Sequence, residues 1–557
     1  MTSNQSKNLV TSEVIEAYLA NSKNGTATAR DLGISIGTLH RHLRKATGVK
    51  STGKIAPTKL IRAPKLKKGE TRRYIVTAAQ NNTDVIEPLW ENIHALAEHY
   101  NAEVIVGTFT YSIHAANRDR AAKGAFEQGG GFVQEVWFDP KLEPFITDVR
   151  RELAPGLIWV GDANIIPTAA NPLSGFETLT GIDSAIFPAS KIRMDSIPTG
   201  KTEPTKFNWS TGTVTKRNYI AKKAGQKAEF HHTYGGLVVE VDWEGDWFIR
   251  PLDADGKWRL QDLDVIVDRG VVTTGNPVES LTPGDIHWDV VDRTVAEVFW
   301  GEGGVLDTLH PKFQFMHDIL DQRSRNHHDI GNHHKMFAKW ARGMECLKSE
   351  VARVAEFTHW ASRPWCKTII VDSNHDRALS RWLLEADFRR DPVNAQYYLK
   401  AQSAMYEALA EGDTNFHLLE WALTDAGCAK GIKFLRPDES FLTCVKGSGR
   451  GIEHGMHGDL GPDGARGGVR NFARLGRKVT RAHEHSASIY DGVHTVGTFT
   501  QMDVGYNVGP SSWSHTFGID YASGKRSMVT IRNGKWRILP ALSADGSGVI
   551  TPKPTEQ

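Results

Sequence analysis

Fifteen of the 23 histidines in this 557-residue chain lie between His287 and His494. Within that stretch five short segments set histidine beside carboxylates or an amide. The first is Gly284-Asp285-Ile286-His287. Strand side chains alternate, so Asp285 and His287 share one side of an extended segment and can hold one divalent cation. The second is His317-Asp318-Ile319-Leu320-Asp321. An apolar-flanked Asp at a strand-to-loop junction can bridge two metals with its two oxygens. The third follows the apolar run Thr368-Ile369-Ile370 and reads Val371-Asp372-Ser373-Asn374-His375-Asp376. Asn374 offers a neutral oxygen ligand, which leaves His375 to act on a substrate and Asp376 to orient it. The fourth, Ile452 to Asp459, contains His454 and His457, each directly before a glycine. The fifth is Ala482-His483-Glu484-His485-Ser486.

Bulk composition narrows the classes open to the chain. The four cysteines form no CxxC pair, so neither a disulfide scaffold nor a thiolate zinc site is expected, and a reducing cytoplasm fits. No apolar run is long enough to cross a membrane, and the N-terminal residues lack the apolar core of a secretory signal. With 67 Lys and Arg against 65 Asp and Glu, net charge alone does not mark a nucleic-acid binder. Basic residues are instead local. Nine Lys or Arg fall between 50 and 73, and Arg450, Arg466, Arg470, Arg474 and Arg477 surround the fourth segment. Arg466 and Arg470 sit in a glycine-rich loop able to hold a phosphate.

Each segment alone is commonplace, but their order is not. DxH, Asp-x-x-Asp, Asn-His-Asp, His-Gly and His-x-His, in that order, resemble the calcineurin-like metallophosphoesterases over about residues 280 to 500. The family pattern has glycine where this chain has His317, Ser373 and Ala482. All three departures fall on glycines, and every ligand type is kept. The resemblance implies that Asp285, His287, Asp318 and His485 hold a first metal. Asp318 would bridge to a second, completed by Asn374, His483 and a histidine of the fourth segment. His457 is preferred there and His454 is the competitor. His375 would be the general acid, with Asp321 and Asp376 behind it. The implied cofactors are two divalent ions, Mn²⁺ in nuclease members, with Mg²⁺, Fe²⁺ or Zn²⁺ as alternatives; mixed nitrogen and oxygen ligands argue against Ca²⁺. The implied chemistry is phosphodiester hydrolysis by a hydroxide that two metals activate.

The expected fold class is α/β: a calcineurin-like β-sandwich flanked by helices (276–540), an N-terminal helix-turn-helix (1–50) and an additional α/β domain (74–275). A basic linker, 51–73, and a polar tail, 541–557, complete the chain. Ala29, Gly33 and Leu39 have helix-turn-helix spacing, and the third helix would offer Arg41, Arg44 and Lys45 to a major groove. A helical docking domain with a solvated basic face is the alternative. From Tyr74, a strand, an amphipathic helix at 84–99 and a second strand read as a βαβ unit. Trp340, Trp360, Trp365 and Trp382 are expected to pack helices between the second and fourth segments.

Together these features predict a metal-dependent DNase, with DNA as its partner, no membrane association and a homo-oligomer compatible with the sequence. The alternative is a metallophosphatase or small-molecule phosphodiesterase with a regulatory DNA-binding domain. His317 to Ser324 reads HDILDQRS and lacks the GDxVDRG of protein phosphatases, which favours the nuclease. A DNA-binding regulator with a dead phosphoesterase domain is disfavoured by the complete ligand set. The architecture also resembles large phage proteins that attack host DNA early in infection, which implies action in the bacterial cytoplasm.

Overall fold

A long central strand, Thr71–Gln80, is buried on both faces from Tyr74 onward, as its apolar run requires. It pairs in parallel with Ala102–Phe109 and antiparallel with Gly235–Asp242. The crossover between the parallel strands is the helix Glu87–Tyr100. Pro88 occupies its first turn, and Asn101, in left-handed backbone at φ 48°, returns its N–H to Ala97. Leu89, Trp90, Ile93, Leu96 and Ala97 form the buried stripe. This is the βαβ unit expected from Tyr74.

The structure, a computed structural model, describes residues 59–111, 136–448 and 450–538, together with Glu13, Glu16, Ala17, Ala20, Asp31 and Leu32. The helix-turn-helix reading, with Arg41, Arg44 and Lys45, lies outside the described residues, as does the tail. The described residues from Leu60 onward belong to one compact unit. Among the described residues there are four sheets, of four, three, six and ten strands, in a mixed α/β arrangement. No described helix is long and apolar enough to cross a membrane.

The expected boundary at 275/276 does not separate two bodies. The ten-stranded sheet contains both Ala189–Ile197 and Ser488–Tyr490, and these two strands pair antiparallel through Asp195–Ser488 and Met194–Ile489. One core joins Trp159 and Trp209 of the first region to Ala482, Ile489 and Met528 of the second. The six-stranded sheet carries Ser280–Thr282, Phe313–Met316 and Lys367–Ile370 in parallel. Its antiparallel strand Arg526–Thr530 joins it to the larger sheet where Arg526 donates to the Val479 carbonyl at 2.7 Å. Helices cover the six-stranded sheet, with Trp288 stacked on Phe357 in the core between. Trp382 is buried there and Trp360 and Trp365 pack against it. Trp340 departs from expectation: its helix, His333–Ala341, buries no residue, and Trp340 is 61% exposed.

Candidate metal centre

In all five segments the candidate ligands follow the end of a strand. Ser280–Thr282 leads to Asp285 and His287, Phe313–Met316 to Asp318, and Lys367–Ile370 to Asn374 and His375. In the larger sheet, Ile452–Glu453 leads to His457 and Lys478–Arg481 to His483 and His485. Parallel pairing puts these carboxyl ends on one edge. The main chain of the first segment then runs beside the second, with His287 N–H donating to the Asp318 carbonyl at 2.6 Å. On its other flank the first segment packs against Thr498, which Gly284 permits, since a Cβ there would lie 2.7 Å from the Thr498 backbone.

Two groups of ligand atoms converge on Asp318. In the first, His287 Nε2 lies 3.4 Å from Asp318 Oδ2 and 3.3 Å from His485 Nε2. His485 Nε2 in turn lies 3.2 Å from Asp285 Oδ2. In the second, His457 Nε2 is 3.2 Å from the same Asp318 oxygen and 3.0 Å from Asn374 Oδ1. His483 Nδ1 reaches that amide oxygen at 3.1 Å. The Asp318 carboxylate is fully buried, and neither of its oxygens has a hydrogen-bond partner among the described residues. Asp285 Oδ1 is likewise buried without one. Buried carboxylate oxygens without donors carry a large desolvation cost. Lone pairs of imidazole and carboxylate facing one another at these distances are what a cation would satisfy. Buried groups here could therefore hold a metal ion: His287, Asp318 and His485 form one, and Asp285, Asp318 and His457 another, with Asn374 and His483 beside the second.

The surrounding charges agree. Burial raises the cost of ionising Asp318, but the charges of His457, His375 and His287 outweigh it and hold its pKa well below the usual value. Burial opposes protonation of His375, but Asp318 and the hydrogen bond to Asp321 raise its pKa to about 9. Against the same burial, Asp318 and Asp285 raise His457 to about 9. His287, Asp318, His483 and His485 all adopt left-handed backbone, with φ of 44°, 49°, 76° and 57°. Such backbone costs about 1–3 kcal/mol per residue and persists where its surroundings over-determine it. Here the main-chain bonds between segments supply that constraint.

Each departure from glycine has a partner. His317 is fully buried, and its Nδ1 lies 3.4 Å from His457 Nδ1, on the side away from Asp318. Ser373 Oγ donates to Asp376 at 2.8 Å, and Ala482 N–H donates to the His457 carbonyl at 2.9 Å. Arg377 ties the third segment to the fourth by pairing with both Asp372 and Asp459.

Several residues sit elsewhere than expected. His454 faces away from the convergent ligands: its ring stacks on Phe315 at 3.9 Å, and Nε2 lies 2.6 Å from Asp520. Asp376 does not orient His375. It accepts from Leu320 N–H at 3.0 Å and from Ser373, while Asp321 holds His375. Arg466 and Arg470 lie outside the cleft lining.

That cleft, of about 590 Å³, opens above Asp321, Asn374 and His375. Asn326, His327 and His328 line it, in the loop after the second segment. Arg323, Lys335, Lys339 and Arg342 add positive charge. Asp329 engages Lys335 at 2.6 Å and Lys339 at 2.9 Å. Sequence reasoning missed these four cations, Tyr506 on the cleft wall, and Glu350 behind the loop. Glu350 accepts the N–H groups of Arg323 (2.7 Å) and Ser324 (3.0 Å). The i, i+4 spacing of Lys335 and Lys339 was a legible signal; a buried Glu on an amphipathic helix was not.

No protein-family model matches the chain, and no solved structure matches it. Among curated proteins, Protein A1 of Escherichia phage T5 is 37% identical over 477 residues, which cover 84% of this chain and 83% of that protein. At that identity and coverage, the chain belongs to the family of phage T5 Protein A1.

Proposed function

We propose that this protein is a divalent-metal-dependent DNase that hydrolyses phosphodiester bonds and degrades host DNA in the cytoplasm of an infected bacterium. The observation that carries the reading is Asp318, a buried carboxylate shared by two groups of ligand atoms beneath a basic cleft. Bound there, a pair of divalent cations supplies Lewis acidity, lowering the pKa of water and offsetting charge on a phosphodiester. Mixed nitrogen and oxygen donors suit Mn²⁺, with Mg²⁺, Fe²⁺ and Zn²⁺ as alternatives.

The chain's own residues supply the remaining chemistry. Hydrolysis adds water across one P–O bond, and the departing oxygen takes a proton. His375 lines the cleft, and Asp321 fixes its Nδ1 at 2.8 Å. Its Nε2–H is the donor to the leaving oxygen. Arg323 and Arg342 attract the phosphates that flank the scissile bond. The convergent ligands separate DNase and phosphatase readings poorly, because both need the same centre. Substrate competition separates them. Purified protein with Mn²⁺ should degrade plasmid DNA and turn over p-nitrophenyl phosphate far more slowly. Rapid hydrolysis of the small ester with intact plasmid would overturn the DNase assignment in favour of a metallophosphatase.

A further inference from the structure

A second cavity, of about 370 Å³, lies where Ala189–Ile197 meets Ser488–Tyr490. It adjoins the start of the Lys478–Arg481 strand, whose far end runs into His483. Cations dominate its lining. Its two carboxylates are already engaged: Asp491 pairs with Arg193 and with His231 at 2.9 Å, and Asp253 pairs with Lys525 at 2.7 Å.

Three further cations donate to main-chain carbonyls, which neutralise no charge. Lys191 Nζ donates to Ala169 at 2.6 Å. Arg526 donates to Val479 at 2.7 Å and to Gly492 at 2.6 Å. Lys478 donates to Gly524. Lys191 and Arg526 are buried, at 3% and 6% exposure. Burial, with repulsion from Arg193 for Lys191 and from Arg526 for Lys478, pushes both lysines down to about 8. Two buried nitrogens at the same cavity, Arg193 Nε and His494 Nδ1, have no hydrogen-bond partner among the described residues.

Asp491 attracts Lys191, and Asp253 and Asp520 attract Lys478 and Arg526, but burial outweighs them, and a bound anion relieves the desolvation cost that remains. The anion must reach inside a cavity, which a terminal phosphate can do and a continuous duplex backbone cannot. The mouth adds an aromatic surface: Phe230 is 83% exposed, and Tyr234 also lines the cavity. The volume is that of a small-molecule site. We propose that this cavity binds a nucleoside monophosphate, with its phosphate among Lys191, Lys478 and Arg526 and its base against Phe230. The site is separate from the candidate metal centre and does not depend on the proposed reaction.

Calorimetric titration of the full chain with deoxyadenosine monophosphate in EDTA tests this directly. Binding is expected in wild type and in Asp318→Ala alike. Loss of one charge-assisted contact, in Lys478→Gln or Lys191→Gln, should raise Kd by about 10-fold or more. Phe230→Ala, an exposed change that leaves the fold intact, should weaken the nucleotide but not inorganic phosphate. Three results would overturn the proposal. One is no binding of nucleotide or phosphate at millimolar concentration. Another is binding that Asp318→Ala removes and the lysine variants spare. The third is an oligonucleotide without terminal phosphate binding through these lysines while the monophosphate fails to compete.

Discussion

One oxygen of Asp321 holds His375 by its ring, Oδ1 lying 2.8 Å from Nδ1. The same oxygen lies 3.1 Å from Nδ1 of His287. A single carboxylate thus orients both a candidate ligand and the candidate acid, leaving the Nε2 atoms of both rings to face Asp318 or the cleft. Asp321→Asn keeps the shape and removes the charge. Loss of such a supporting partner typically costs about 10- to 100-fold. DNase rate should fall in that range. The alkaline limb of the pH–rate profile should move to lower pH, because Asp321 helps to raise His375 to about 9. Bound cations push that value down in both proteins, so the comparison is of the two limbs.

His454 and His457 are separable by metal content. His457→Gln removes a nitrogen that faces Asp318 and Asn374. It should reduce bound Mn²⁺ per chain and abolish DNA cleavage. His454→Gln breaks the contact with Asp520 and should lower melting temperature while leaving Mn²⁺ stoichiometry unchanged. Elemental analysis after gel filtration reads both.

Sequence preferred His457 but kept His454 as a competitor, since both precede glycine. What decides is Phe315 and Asp520, which come from strands distant in the chain. The convergent residues themselves were legible because ligand chemistry demands particular residue types just after apolar strand segments. The union of the 74–275 and 276–540 regions was not, because the register of Asp195 with Ser488 is a non-local pairing. Nor was the orientation of His375: the adjacent Asp376 was the expected partner, and loop geometry instead brings in Asp321 from the second segment.

Arg377 bridges Asp372 and Asp459 across two of the ligand loops. Arg377→Ala leaves two largely buried carboxylates facing one another. A lost hydrogen bond to a charged group costs about 1.5–3 kcal/mol, and partial exposure of Arg377 puts this case toward the lower end. A melting temperature lowered by several degrees and a weaker second Mn²⁺ site are the expected results, read by calorimetry.

Glu350 gives a pH-dependent stability signature. Burial, the largest cause, raises its pKa to about 7 against the hydrogen bonds from Ser324 and Arg323. A carboxyl whose folded pKa lies above its unfolded value loses stability as pH rises from the unfolded pKa through the folded one. Wild type bears that loss between about pH 4.5 and pH 7. Glu350→Gln does not. The melting temperature of the variant relative to wild type should therefore rise across this window and level off above it, in thermal scans at fixed salt. A difference that stays flat with pH would contradict a raised Glu350 pKa.

Asp318 is common to both groups of ligand atoms, and plasmid degradation by Asp318→Ala in the presence of Mn²⁺ tests its role most directly. Removing it should take cleavage to the EDTA background while circular dichroism remains that of the wild type. An Asp318→Ala protein that is folded and still degrades plasmid at the wild-type rate would contradict a metal-dependent centre built on this residue.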